Sequence, residues 1–183
     1  MGVKGQEFPA YDPRGVFGMG IQYATSNRGA CHVRGYMIST EILGVPQKMD
    51  PLTTDGKAGT DIVFQNLTAA LDSCGVCLFV VFSIGAPELT TMLSKATGTV
   101  YDVSEFLRIG ERIWNLEKLF NQRAGFSEKD DTLPDRLLRE PMPGGPASGK
   151  IVPLDEMRKE YYRLRGWDGQ GRPTKETLAA LGL

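Results

Sequence analysis

A regular run of apolar residues between positions 103 and 123 constrains the fold more than any other feature of the sequence. Its members recur at intervals of three and four residues, and they are Phe106, Ile109, Ile113, Leu116 and Phe120. This spacing places them on one face of an α-helix. Asp102 and Glu105 are placed as a capping pair, and Gly125 follows as a stop. We therefore predict a helix from Val103 to Arg123 whose apolar face packs against a core.

Four other segments also have helical signals. They are residues 60–71, residues 87–96 with Gly98 as a stop, the stripe Leu154, Met157, Tyr161 and Leu164 with Gly166 as a stop, and residues 173–181. The first of these ends just before Asp72. The run from Leu78 to Phe82 is β-prone, but its length also fits a buried helix. No internal repeat is apparent, and we predict a mainly α fold.

The composition excludes several classes of protein. Of the 183 residues, 41% are hydrophobic and 23% are charged, and the formal net charge is −1. This is typical of globular proteins, and it argues against a binder of nucleic acid or of a membrane surface, which needs a concentrated basic face. No apolar run approaches the length that spans a bilayer, and the first residues do not resemble a signal peptide. A cytoplasmic location is the expectation, with the three cysteines reduced.

Glycine and proline suggest where the chain divides. The 22 glycines and 11 prolines cluster in the first 20 residues, between Gly44 and Gly59, and between Pro141 and Pro153. We interpret all three stretches as loops, and the last as a linker. The predicted division is a helical domain over residues 1–140. Residues 141–183 would form a linker and a C-terminal helical segment packed on it.

The segment from Asp72 to Cys77 looks like half of a binding site. It places the thiols of Cys74 and Cys77 beside a carboxylate, and Cys31 is the only other cysteine. Three thiols cannot complete an all-cysteine iron-sulfur cluster, which normally needs four. Two small buried side chains, a thiol redox pair, and a zinc site with His32 remain open alternatives.

The only histidine of the chain has an unusual setting. His32 follows small residues and lies between Arg28 and Arg34, so a titratable ring is flanked by two fixed cations. A lone histidine is more often structural than catalytic. A second polar, turn-rich segment begins at Tyr11, where a proline turn with Arg14 paired to Asp12 is the simpler interpretation.

Taken together, these segments resemble the tungsten-containing aldehyde ferredoxin oxidoreductases, a family that also includes related molybdenum or tungsten pterin enzymes. The resemblance extends over nearly the whole chain. The matching segments are residues 9–15, 18–20, 23–32, 72–77, 111–117, 129–134 and 161–168.

The resemblance implies specific roles at the predicted site. Cys77 corresponds to the isolated fourth cysteine ligand of the family's [4Fe-4S] cluster, and Asp72 to a carboxylate that accepts hydrogen bonds from the pterin ring. Val76 lies where the family offers a backbone contact to the pterin. Arg34 replaces a lysine that links cofactor and cluster in some members.

His32 and Tyr11 correspond to two side chains beside the aldehyde, placed for proton transfer and for hydrogen bonding to the substrate oxygen. Cys74 matches no ligand. The family's CxxCxxxC motif, its β-rich first domain, its second pterin-binding aspartate motif and a glutamate near the substrate have no counterpart in this sequence. The chain therefore resembles the C-terminal, mostly helical part of such an enzyme.

The function implied by the resemblance is oxidation of aldehydes to carboxylic acids, with electrons leaving through the cluster to ferredoxin or a similar carrier. The complete enzyme would hold a tungsten or molybdenum bis-pterin and a [4Fe-4S] cluster. We expect the isolated chain to bind neither and to be inactive until a polypeptide carrying CxxCxxxC joins it. The alternatives are a cofactor-free helical binding module and a CxxC thiol redox protein.

Overall fold

Helices dominate the computed structural model, which describes all 183 residues. A small antiparallel hairpin pairs β1 (Gly2–Val3) with β2 (Gln6–Glu7). The α-helices are α1 (Phe17–Thr25), α2 (Lys57–Ser73), α3 (Ala86–Thr97), α4 (Val103–Arg123), α5 (Asp135–Arg139), α6 (Leu154–Leu164) and α7 (Lys175–Leu181). A π-helical turn covers Ser39–Leu43, and a 3-10 helix covers Leu78–Phe82. The predicted mainly α fold is confirmed.

Local signals located most of the helices. The bounds predicted for α4 are confirmed, and the Asp102 carboxylate accepts a hydrogen bond from the Glu105 N–H at 2.8 Å. Gly98, Gly125 and Gly166 all have positive φ where their helices stop, a conformation that glycine adopts without strain. The predicted α2, α3, α6 and α7 agree with the structure to within three residues at each end.

The apolar face predicted for α4 is partly wrong. Leu116 and Phe120 are 49% and 71% exposed, although Phe106 is buried as predicted. The face that packs inward carries Phe106, Gly110, Trp114, Asn115 and Lys118. Gly110 sits against the backbone of Asn66 in α2, leaving no room for a Cβ atom. The close contact between α2 and α4 at Gly110, and not the apolar stripe, therefore decides which face of α4 points into the core.

Helix α1 was missed because its sequence looks like a loop. Its first turn contains Gly18 and Gly20, and glycine lowers helix stability by about 1 kcal/mol relative to alanine. A Cβ atom at Gly18 would lie 2.6 Å from the Met37 side chain, and one at Gly20 would lie 2.7 Å from Val152. The two glycines therefore let α1 lie at the centre of the fold, where all nine of its residues are buried.

The run from Leu78 to Phe82 forms neither a strand nor a buried helix. It is a 3-10 helix with no buried residue, and Phe79 is 61% exposed. No helix of the structure combines the length and the apolar composition that a bilayer-spanning segment requires.

One hydrophobic core joins residues from both sides of position 140. Met19, Trp114, Met157 and Tyr161 all belong to it, with 0% exposure each. Helices α1, α2, α4 and α6 surround this core. The division of the chain at residue 140 stays a prediction.

Candidate functional site

His32 and Tyr11 lie close together, as the resemblance implied. Their ring centroids are 5.7 Å apart, and the Tyr36 ring lies 6.1 Å from that of His32. The Tyr11 and Tyr36 hydroxyls are 3.4 Å apart. The turn after Tyr11 is held by Arg14, which donates to the Asp12 carboxylate at 2.6 Å, so the predicted ion pair is present. The pair fixes the turn and leaves Tyr11 beside His32.

The surroundings of His32 favour its neutral form. Partial burial lowers the pKa of the imidazole, and the positive charge of Arg28 lowers it further. Both effects act against a second proton on the ring. At neutral pH the ring can therefore accept a proton from a neighbouring group.

Tyr36 joins this aromatic group although the sequence did not single it out. Burial and the hydrogen bond with Tyr11 raise the pKa of Tyr36 to about 12, so its hydroxyl keeps its proton. Its other face meets Phe82, with ring centroids 5.8 Å apart. The signal in the sequence that could have identified Tyr36 is its position, four residues after His32, together with its polar aromatic side chain. We refer to Tyr11, His32 and Tyr36 as the aromatic group.

Arg34 connects the end of α2 to the side of α4. One guanidinium nitrogen donates to both carboxylate oxygens of Glu117 at 2.9 Å, and another lies 3.4 Å from the Asp72 carboxylate. The guanidinium also lies over the Trp114 ring, 5.3 Å from its centroid. The structure thus brings Arg34 and Asp72 together. It adds Glu117, to which the sequence had given no role.

Cys77 lies on an exposed segment. Every residue from Asp72 to Cys77 is exposed, including Val76, and the segment leads from the end of α2 to the 3-10 helix. Its neighbour Cys74 donates a long hydrogen bond of 3.4 Å to the Ala70 carbonyl. The Cys77 thiol can therefore be approached from outside the chain.

The structure argues against the zinc and thiol redox alternatives. No group of three or more histidine, cysteine or acidic side chains within the 183 residues could hold a metal ion. Cys31 is buried and accepts a hydrogen bond from Arg28, whereas Cys74 and Cys77 are exposed. Partial burial raises the pKa of the Cys74 thiol, the opposite of what an activated redox cysteine needs.

An apolar cavity of about 250 Å³ adjoins the aromatic group. It lies between α2, the 3-10 helix and the start of α3, and Tyr36 forms part of its wall. Most of its other lining residues are hydrophobic, among them Phe64, Leu67, Val81 and Phe82. The aromatic group therefore combines hydroxyl and imidazole functions with an adjacent apolar space.

The donor atoms can supply part of a cluster or cofactor site. Cys77 offers one exposed thiolate, and Asp72 offers a carboxylate that is 46% exposed beside a cation. A single thiolate fits one corner of a four-cysteine cluster and leaves three corners to another part of the protein. The arrangement agrees with a shared site and not with a self-contained one.

The chain matches a known protein family over its whole length. The family model described as aldehyde ferredoxin oxidoreductase, domains 2 and 3, matches residues 1–183. The chain belongs to the aldehyde ferredoxin oxidoreductase family. The resemblance seen in the sequence is thereby confirmed, including its restriction to the C-terminal domains.

The similar proteins are much longer than this chain. A tungsten-containing aldehyde ferredoxin oxidoreductase of Pyrococcus horikoshii is 55% identical over 185 residues, which cover all of this chain and 30% of that protein. The corresponding protein of Thermococcus kodakarensis is 52% identical, with 31% of its length covered. The WOR-like subunit of an aliphatic sulfonate oxidoreductase of Pyrococcus furiosus is 31% identical over 89% of this chain and 24% of that protein. The chain thus spans about 30% of the length of these tungsten-containing relatives.

A solved structure supports the fold. The active-site complex BamBC of benzoyl coenzyme A reductase aligns with a TM-score of 0.59 over 78% of this chain and 21% of that chain. The sequence identity is 23%. This likeness concerns the fold alone.

Proposed function

We propose that this chain is the C-terminal part of a tungsten or molybdenum pterin aldehyde oxidoreductase. The reaction is aldehyde plus water to carboxylic acid, with two electrons and two protons released. The electrons leave through a [4Fe-4S] cluster to ferredoxin or a similar carrier. The observation that carries the proposal is the match of the whole chain to domains 2 and 3 of the family.

The contact between Arg34 and Asp72 supports the cofactor roles. Asp72 accepts hydrogen bonds from pterin N–H groups, and the backbone at Val76 makes a further pterin contact. Arg34 lies beside the Asp72 carboxylate and offsets negative charge between pterin and cluster. Cys77 supplies one cluster ligand. The bound metal and pterin supply the redox chemistry.

The aromatic group supports the substrate roles. His32 exchanges protons near the aldehyde in its neutral form, which partial burial and Arg28 favour. Tyr11 donates a hydrogen bond to the substrate oxygen, and Tyr36 holds the Tyr11 hydroxyl in place. The apolar cavity beside Tyr36 suits the hydrocarbon part of an aldehyde.

The proposal requires a partner polypeptide that carries the CxxCxxxC motif, and its first test is reconstitution. The 183-residue chain is mixed with such a polypeptide under anaerobic conditions, together with iron and sulfide. We expect the broad visible absorption of a cluster and four irons per complex. Cys77→Ser lowers the cluster content, whereas the matched variant Cys74→Ser leaves it unchanged.

Two outcomes contradict the proposal. A complex that forms without any visible absorption favours a cofactor-free binding module. Equal cluster loss in Cys74→Ser and Cys77→Ser contradicts the assignment of one ligand to Cys77. We also expect the isolated chain to be inactive and to retain neither iron nor tungsten, and elemental analysis after purification checks this.

A further inference from the structure

A buried polar network lies behind the segment that carries His32 and Arg34. Its members come from α1, α2 and the end of α6, and they are Gln22, Asp61, Gln65, Tyr161 and Arg165. None of them is more than 1% exposed. Buried polar groups cost free energy unless they are hydrogen-bonded, so their arrangement at this place needs an explanation.

The network fixes the orientation of two glutamine amides. Arg165 has only donors, and it donates to Gln65 Oε1 at 2.6 Å, as does the Tyr161 hydroxyl. Gln65 Nε2 must then point the other way, where it donates to Gln22 Oε1 at 2.8 Å. Gln22 Nε2 is left to donate to the Cys31 carbonyl at 2.9 Å. The backbone beside His32 is thereby anchored through two amides to a buried arginine.

The same network packs against the backbone at Gly35, the other end of the segment that carries His32 and Arg34. A Cβ atom at Gly35 would lie 2.6 Å from Asp61 Oδ1 and would also collide with the Gln22 side-chain oxygen. Asp61 Oδ1 is buried without a hydrogen-bond partner. Its other oxygen accepts from Gln65 at 2.9 Å. Gly35 therefore lets the backbone lie directly on the network.

We propose that Gln22 and Gly35 are positioning residues that fix the two ends of the Cys31–Gly35 segment and so set where His32 and Arg34 stand. Neither residue belongs to the aromatic group or to the predicted cofactor contacts. The roles of His32 and Arg34 in catalysis and cofactor binding rest on the proposed function. The anchoring of the Cys31–Gly35 segment does not, because all of its contacts lie within this chain.

The only histidine of the chain makes the position of the segment directly measurable. Imidazole proton–carbon correlation spectra of the 183-residue chain contain one set of signals, from His32. Gln22→Met keeps the side-chain length and removes the donor to Cys31. Gly35→Ala adds the Cβ atom for which there is no space. We expect both variants to shift the His32 signals by more than their linewidth at constant pH.

Thr25→Val is the matched control. Thr25 lies in α1 with Gln22, is fully buried, donates to the Ile21 carbonyl at 2.8 Å and accepts from Gln65 at 3.3 Å. The substitution Thr25→Val removes a buried hydroxyl from the same helix but no contact to the Cys31–Gly35 segment. The His32 signals should therefore stay in place. Thermal melts establish that each variant is folded. Gly35→Ala tests the anchoring independently of whether Gln22→Met folds.

The assembled enzyme gives a second readout. Gln22→Met should lower kcat by about 10- to 100-fold at unchanged tungsten content, because small displacements of a reacting group have effects of this size. Thr25→Val should stay within about twofold of the wild type, the size expected where no reacting group is displaced.

The outcomes separate the positioning proposal from the proposed function. Unmoved His32 signals in the folded variants, or equal movement in Thr25→Val, overturn the positioning role. Moved signals with full activity of a His32→Gln enzyme support the anchoring and contradict the role of His32 in the proposed function.

Discussion

The buried polar network and the exposed Asp72–Cys77 segment both include residues of helix α2, but they differ in burial and in hydrogen bonding. In the network, Gln65 is fully buried and makes hydrogen bonds with Gln22, Thr25, Asp61, Tyr161 and Arg165. In the segment, six consecutive residues are exposed. The middle of α2 thus takes its buried polar partners from this chain, whereas its C-terminal end leads into a segment with an exposed carboxylate and exposed thiols. Buried polar groups here find most of their partners within the chain, whereas the exposed segment leaves its carboxylate and thiols accessible from outside.

The largest expected effect comes from removing the buried cation of the network. Arg165→Met leaves Asn66 Oδ1 without its 2.6 Å donor and leaves Gln65 Oε1 with the Tyr161 hydroxyl as its one remaining donor. We expect the free energy of unfolding to fall by about 1–3 kcal/mol, the usual cost of leaving a buried acceptor without its donor. Urea denaturation followed by circular dichroism measures it. Arg163→Met, on the exposed side of α6, should change the value by less than about 0.5 kcal/mol, and equal losses would contradict the comparison.

Asp61 should make the network sensitive to pH. Burial raises the pKa of Asp61 well above its usual value, with Arg165 acting in the opposite direction and Glu41 adding to the rise. A carboxyl with a raised folded pKa destabilises the fold as pH rises from its unfolded pKa, about 3.9, through the folded pKa. Asp61→Asn should therefore become more stable relative to wild type over that range, by about 1.4 kcal/mol for each unit of the shift.

Urea denaturation at a series of pH values measures this difference. Asp131, whose pKa is lowered, contributes to both proteins and cancels in the comparison. Glu41, whose pKa is raised, is present in both proteins, but its repulsion of Asp61 is part of the measured difference. A difference between Asp61→Asn and wild type that stays constant from about pH 4 to pH 7 would mean that Asp61 is ionised to the same extent in the folded and the unfolded chain, and so that its folded pKa is not raised.

Arg34 lies between the two regions and should have an intermediate effect. Arg34→Gln loses the contacts to Glu117 and Asp72. Because both carboxylates are at least one-third exposed, we expect a loss of only about 0.5–1 kcal/mol. Arg34→Lys keeps the charge but not the paired geometry and should lie between wild type and Arg34→Gln. A loss as large as that of Arg165→Met would place Arg34 in the buried scaffold.

The smallest effect on stability is expected at Cys77. Cys77→Ser alters an exposed side chain and should change the free energy of unfolding by less than about 0.5 kcal/mol. Titration with a thiol reagent provides the companion measurement: Cys74 and Cys77 should react in the folded chain, and buried Cys31 only after unfolding. Rapid reaction of all three thiols would mean that the segment around Cys31 opens in the native state.

The sequence predicted the parts of the fold that depend on neighbouring residues in the chain. The bounds of α4 follow from Asp102 and Gly125, and the stops of α3 and α6 follow from glycines with positive φ. The resemblance to the family also predicted two pairs of neighbouring side chains. His32 with Tyr11, and Arg34 with Asp72, do lie together in the structure. Their proposed roles stay predictions.

Contacts between distant segments decided the rest. Gly18 and Gly20 predict a loop from the sequence alone. The structure shows that they are helical and that Met37 and Val152 pack closely against them. Glu117 and Tyr36 lie near the predicted residues because they contact partners that are distant in the sequence. Glu117 accepts hydrogen bonds from Arg34, and the Tyr36 hydroxyl lies beside that of Tyr11. The polar pattern of α2 does not reveal that Gln65 is buried, because the partners that satisfy it come from other helices.

The sequence alone therefore determined five of the seven α-helices, the glycine stops and the family, since these depend on local backbone preferences and on residue identity along the chain. The tertiary structure decided which face of α4 is buried, how Gln22 reaches the Cys31 carbonyl, and that Cys77 faces outward. These properties depend on the close packing of helices that are distant in sequence, and no local pattern specifies it.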